Sequence, residues 1–235
     1  MPSWLKQHFM PVLDVRRGLE LFSGSGHLTT CCRAEKIYMY DPFDILHGAQ
    51  YDVFAERIDR WIEYGLVSFL WMGPPCKSFS ALRNLDSGGP LRPKGHPEGN
   101  EENAEVKTGN LLRRRALKLA KLAYLNNVPF CIEHPASSSA WHMSDTLAIS
   151  QLPGVIKHRV DWCGFGAPTM KPTCLLSTMP WLSDCVRRCP GVSLEHSHAK
   201  ALRGKAATEA AAYTIAFCQL FSRSYLKWAA ARVAK

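Results

Sequence analysis

Three short segments carry residue types that can do covalent chemistry, and each follows a run of apolar residues. Gly73-Pro74-Pro75-Cys76-Lys77-Ser78-Phe79-Ser80 places a thiol just past one such run. The two prolines fix φ and stiffen the approach. Cysteine attacks as its thiolate, and Lys77 with nearby backbone amides can lower the thiol pKa. The same residues also suit a buried cysteine in a rigid turn. Ile132-Glu133-His134-Pro135 ends another run with a carboxylate. Glu133 there is either a general acid, its pKa lifted by burial, or an ion-paired strand-end group. Phe22-Ser23-Gly24-Ser25-Gly26 is a turn whose glycines let the backbone bend sharply and approach a ligand closely. Asp41 follows Gly24 by seventeen residues, where a carboxylate can accept hydrogen bonds from both ribose hydroxyls. The alternatives are a plain tight turn or a dinucleotide site, although only two glycines are present and His27-Leu28 replaces the rest of that fingerprint. Asp52 either bonds an adenine amino group or is a solvated loop aspartate.

These segments need rigid elements behind them. Residues 17–22, 37–40, 67–72 and 128–133 read as short buried strands, with 155–164 and 173–177 as further strands. Helical spacing marks the stretch from Gly26 to about Glu35, residues 55–64, a basic amphipathic stretch over 111–126 and an Ala-rich stretch over 208–230. A Gly-, Pro- and charge-rich loop runs from Leu82 to about Glu105, long enough to suggest function or mobility. The alternation of strand and helix predicts an α/β fold with a largely parallel sheet. In such sheets ligands bind beyond the carboxyl ends of the strands, where all three segments sit, so one pocket is expected to hold them.

Length and composition bound the rest. A chain of 235 residues, 46% hydrophobic, fits one domain over 1–235. Its +9 formal charge, from 29 Lys and Arg against 20 Asp and Glu, suits either a polyanionic partner or solubility alone. No apolar run is long enough to span a membrane, and the first residues lack the basic-then-apolar order of a secretory signal. Nine cysteines, an odd number with Cys31 and Cys32 adjacent, do not form a disulfide framework. The expectation is a soluble, intracellular protein with reduced thiols and no membrane association.

In order and spacing, Leu21-Phe22-Ser23-Gly24-Ser25-Gly26, Gly73-Pro74-Pro75-Cys76 and Ile132-Glu133-His134-Pro135 resemble three motifs of the cytosine-C5 DNA methyltransferases. These are the cofactor loop, the Pro-Cys nucleophile loop and the Glu-Asn-Val acid strand. The resemblance covers about residues 18–177. Glu133 through Trp141 and the Lys171-Pro172-Thr173 run look like divergent phage- or mobile-element-type relatives. The resemblance implies a Rossmann-like class I methyltransferase with a mostly parallel sheet flanked by helices. It implies S-adenosylmethionine held by Phe22, Ser23, Gly24, Ser25, Gly26, Asp41, Asp52 and Pro74. It also implies Cys76 adding to C6 of cytosine, with Glu133 assisting at N3. The family's Gln-x-Arg-x-Arg strand, which braces the nucleophile loop, has no match here. Lys171 or Arg159 is the candidate substitute. His134-Pro135 stands for Asn-Val, and Lys77 for a glutamine. The helix from Thr208 resembles the family's last motif, or is a plain core helix.

Only residues 178–207, a short Cys/His-containing insert, occupy the place where relatives carry a large target recognition domain. The implied substrate is DNA read with short specificity, or a tRNA; a catalytically inactive nucleic-acid-binding module is the remaining alternative. The target base must be flipped out or already single-stranded. Lys77, Ser80, Arg83, Arg92, Lys94, Lys107, Arg113, Arg114 and Arg115 are candidate nucleic-acid contacts, although 113–121 also reads as a solvated helix face. In the insert, Cys185, Cys189, His196 and His198 are ligand types suited to structural zinc, with Cys174 or Cys163 able to take part; unliganded thiols and surface histidines are the alternative.

Overall fold

Val67–Met72 is apolar on both faces, as a strand covered on both sides must be, and it forms β2, buried along its whole length. Its neighbours are β1 (Arg17–Leu21) and β3 (Phe130–Pro135), both parallel to it. β5 (Pro172–Ser177) pairs antiparallel with β3 and with β4 (Ile156–Asp161), so β4 runs in the direction of β1–β3. The five-stranded order is β1-β2-β3-β5-β4. The computed structural model describes residues 16–80, 90–198 and 212–233.

The expected strand over 37–40 lies on the free edge of β1 but makes only isolated bridges, Gly18 with Met39 and Leu21 with Phe43. Pro42 interrupts the ladder because it has no N–H to donate. The pairing resumes where the Phe43 amide donates to the Glu20 carbonyl at 2.9 Å. The chain therefore leaves β1 toward this edge, then crosses back to β2 on the other side. The gap between the carboxyl ends of β1 and β2 is the switch point of the sheet.

Helices cover both faces. α1 (His27–Ala34) and α5 (Ile215–Val233) pack on one, with Phe69, Trp71, Cys131 and Leu175 beneath them. α2 (Glu56–Glu63), α3 (Ala104–Leu125) and α4 (Ser144–Ser150) pack on the other, over Leu19, Leu70, Phe130 and Ile132. The alternation of β3 follows: Phe130 and Ile132 face α3, while Cys131 faces α5. No helix among the described residues is long and apolar enough to cross a membrane.

α3 begins seven residues before the expected stretch. Asn103 caps it, its side-chain oxygen accepting from the Glu105 and Val106 amides at 2.9 and 3.2 Å. The weak helix former Gly109 masks this in the sequence. Its role is spacing: a Cβ there would overlap the Ser78 hydroxyl.

Candidate active site

The segment after β2 turns at Gly73-Pro74-Pro75, and Cys76 opens a 3-10 turn over Lys77–Phe79. A Cβ on Gly73 would overlap the Tyr213 hydroxyl, with a Glu133 carboxylate oxygen and the Phe22 carbonyl each 3.7 Å from it. The carboxyl ends of β1, β2 and β3 thus converge at one point.

Glu133 is buried on β3, at 8% exposure. Burial lifts its pKa, opposed by Lys171, the Thr173 hydroxyl and Arg113. Its Oε1 has no hydrogen-bond partner among the described residues. A buried carboxyl with one oxygen unengaged is costly unless a ligand engages it. Cys76 is half-buried. Burial and then the Glu133 charge push its thiol up, while Lys171 pulls it down. Cys76, Glu133 and Lys171 therefore sit within electrostatic reach of one another, from three separate parts of the chain. Lys77, expected to activate the thiol, is turned to solvent: its side chain is 77% exposed and its ammonium lies 3.7 Å from Glu105. Lys171 is the cation acting on Cys76.

His134, one residue on, faces the opposite side of the sheet. It is fully buried, edge-on to Phe79 and Trp141 at 5.5 and 6.1 Å between ring centres. Burial and the Arg113 guanidinium hold its pKa well below the usual imidazole range, and the Pro75 backbone opposes this only in part. It is a neutral wedge under the Pro-Cys loop.

The glycine turn has three left-handed residues, Phe22, Gly24 and Gly26, with φ of 56°, 52° and 66°. Phe22 stores strain there. Nothing lies within 4 Å of a Cβ placed on Gly24. Ser23 is nearly buried and its hydroxyl meets His47 Nε2 at 3.2 Å. The Gly24 amide donates to Asp44 Oδ2 at 3.0 Å. Asp44 and His47 were not legible as site residues; the only cue is an acidic group shortly past the 37–40 strand. Asp41 is exposed and paired with Arg33 at 2.7 Å. Asp52 accepts from the Phe54 amide at 2.9 Å and stays partly exposed. Pro74 is buried. Glu20, fully buried, takes the Thr29 amide and hydroxyl at 2.8 and 2.5 Å, and burial lifts its pKa to about 7.

Most arginines expected to contact phosphates do other work. Arg92 is buried and donates to the Ser78 carbonyl and hydroxyl, Asn110 Oδ1 and the carbonyls of Pro97, Glu98 and Val106. Its guanidinium lies 3.6 Å from the centre of the Phe79 ring. Arg113 has no exposed surface; it lies 5.1 Å from the Trp141 ring centre and donates to the Thr146 hydroxyl at 3.2 Å. Arg115 is locked to Asp59 by two bonds of 3.0 and 2.6 Å. Of the triplet only Arg114 is exposed, paired with Glu101 at 2.7 Å. Successive helix residues point about 100° apart, so a run of three cannot share one solvated face. Lys94 and Lys107 are exposed, and Ser80 is partly so. Arg83 lies outside the described residues. Arg159 sits 3.7 Å from Asp161.

The expected metal set changes by one residue. Cys185 is buried in the apolar core beneath α5, its sulfur 3.9 Å from the Trp181 carbonyl, and cannot join the others. Cys174 is buried in β5. Cys163 takes the fourth place beside Cys189, His196 and His198.

No family model matches this chain, and no curated protein matches it.

Proposed function

We propose that this chain is an S-adenosylmethionine-dependent methyltransferase acting on C5 of cytosine in DNA through a covalent Cys76 adduct. The observation that carries the reading is the convergence of Cys76, Glu133 and Lys171 within electrostatic reach of one another, beside an open glycine turn at the sheet's switch point. That arrangement, with helices on both faces, is what a Rossmann-like methyltransferase fold requires.

The surroundings of the turn suit this cofactor better than a dinucleotide. A pyrophosphate needs free amides at the start of the following helix. Here the Glu20 side chain occupies the Thr29 amide and Asp44 occupies that of Gly24. Asp41, Asp44 and Asp52 instead favour hydroxyls and positive charge. Phe22 to Gly26 would hold the cofactor, with Asp41, Asp52 and Pro74 around it. When bound, S-adenosylmethionine supplies a methyl group on a positively charged sulfur.

The side chains account for the other half of the chemistry. C5 of cytosine is a poor nucleophile. Addition of the Cys76 thiolate at C6 forms the S–C6 bond and pushes the ring electrons toward C5. Glu133, its pKa raised by burial, is placed to donate a proton to N3 and so take up the charge that develops there. Its unengaged Oε1 is the atom available for that contact. Lys171 holds thiolate and carboxylate together against their mutual repulsion. After methylation, the C5 proton passes to water, its bonding pair re-forms the C5–C6 double bond, the Cys76 sulfur departs as thiolate, and the N3 proton returns to Glu133.

Transfer of labelled methyl groups tests the reading directly. DNA is expected to accept label from wild type and none from Cys76→Ala. Transfer to tRNA alone would move the substrate to RNA. Transfer to neither, with cofactor bound, would leave a nucleic-acid-binding module.

A further inference from the structure

We propose that Cys163, Cys189, His196 and His198 form a closed, tetrahedral zinc(II) site that clips residues 186–198 onto the carboxyl end of β4. The four donor atoms lie within 4.8 Å of one another. Cys189 Sγ is 3.5 Å from Nε2 of both His196 and His198, and the two Nε2 atoms are 2.9 Å apart. Zinc–sulfur and zinc–nitrogen bonds of about 2.3 and 2.05 Å at tetrahedral angles demand S–N separations of about 3.5 Å and N–N of about 3.3 Å. The distances from the Cys189 sulfur to both nitrogens already match, and the imidazoles need to part by only a few tenths of an ångström.

The surroundings distinguish a ligand set from a chance meeting of polar side chains. The Gly191 amide donates to Cys189 Sγ at 3.4 Å, a bond that suits a thiolate held for a metal. The Cys189 amide and the Arg188 guanidinium both donate to Asp161 Oδ2 at 2.9 Å, and the Asp161 amide donates to the Arg187 carbonyl at 2.9 Å. These bonds bring Cys189 to the turn that carries Cys163. Between Cys189 and His198 the chain has no buried apolar side chain: Val192 and Leu194 are exposed. A segment that buries so little needs another source of order, and four metal bonds supply it. Hydrogen bonds between reduced thiols and imidazoles would give similar contacts but far less free energy.

With four protein ligands the ion has no open position, so its role is structural. Its site is linked by hydrogen bonds to the residues around Glu133. Trp162, next to Cys163, donates its indole N–H to the Thr173 hydroxyl at 2.8 Å and its amide to the Lys171 carbonyl at 3.3 Å. Lys171 and Thr173 are two of the three groups that lower the Glu133 pKa. The metal thus steadies the strand end that holds the acid. The zinc assignment itself does not depend on the proposed methyl transfer.

Metal analysis of the full chain, purified without chelator, tests it. The wild type is expected to carry about one zinc per chain, and cobalt(II) put in its place should give the visible absorption of a tetrahedral, thiolate-bound ion. Cys163→Ser and His198→Ala should each lose most of the metal and the cobalt spectrum, while Cys185→Ser should keep both. His198 lies in the exposed segment, so its variant decides the matter even if the Cys163 variant does not fold. A wild-type chain that takes up neither zinc nor cobalt, or a His198→Ala chain that retains a full equivalent with the tetrahedral spectrum, would overturn the assignment.

Discussion

Arg92 grips Ser78 twice, its Nε donating to the Ser78 carbonyl and an Nη to the Ser78 hydroxyl, both at 3.0 Å. Ser78 is two residues past Cys76, so the position of the thiol depends on a guanidinium sixteen residues on in sequence. The cytosine-C5 methyltransferases that the motifs resemble brace this loop with an arginine strand that has no match here; Arg92 braces it from a different place.

That role has a kinetic signature. Arg92→Lys keeps the charge but loses the fork of bonds. Methyl transfer is expected to slow by roughly 10–100-fold, the scale set by misplacing a reacting group by about an ångström. The slope of log affinity for DNA against log salt should not change, because Arg92 touches no phosphate. Lys94→Ala should do the reverse, lowering the slope by about 1 with little loss of chemistry. A changed slope in the Arg92 variant would restore the phosphate reading.

The charges around Cys76 can be read from its alkylation rate as pH rises. Burial and Glu133 push the thiol pKa up, and Lys171 pulls it down. The thiolate is the reactive form, so alkylation accelerates as pH climbs through the thiol pKa. Glu133→Gln removes a repelling negative charge and should move the midpoint to lower pH. Lys171→Gln removes an attracting positive charge and should move it higher. Identical midpoints in all three proteins would separate Cys76 from both groups.

Gly73 and Tyr213 are coupled by contact. Gly73→Ala drives a methyl into the Tyr213 hydroxyl. Tyr213→Phe removes that hydroxyl but strands the buried Trp71 Nε1–H, which donates to it at 3.0 Å, at a cost of about 1–3 kcal/mol. In urea unfolding the double variant should lose less stability than the two single variants together, by about 1 kcal/mol or more. Simple additivity would mean that the glycine is required for another reason.

Much of this arrangement was legible because backbone chemistry announced it. The Gly-Pro-Pro stop after a doubly apolar run, and the glycine turn before α1, marked strand ends without any side-chain geometry. Burial of charge was not legible. Arg92, Arg113 and Arg115 look in sequence like a basic surface, and each is instead enclosed by partners distant along the chain: Ser78, Trp141 and Asp59. Cys185 and Cys163 differ in the same way. Spacing favoured the nearer cysteine, while the register of β4 against β5 and the Asp161 anchor bring the farther one to Cys189. The start of α3 was hidden because Gly109 answers to Ser78, not to helix propensity.

Attack of Cys76 on a pyrimidine ring held against Glu133 is the step on which the proposed methyl transfer depends. Oligonucleotides containing 5-fluorocytosine report on it, because fluorine at C5 cannot leave as a proton does and the sulfur–C6 bond persists. With S-adenosylmethionine present, wild type should form an adduct that survives denaturation. Glu133→Gln should form it far more slowly, and Cys76→Ala not at all. An adduct of equal strength in Cys76→Ala, or none with the wild type on either DNA or RNA, would contradict the account.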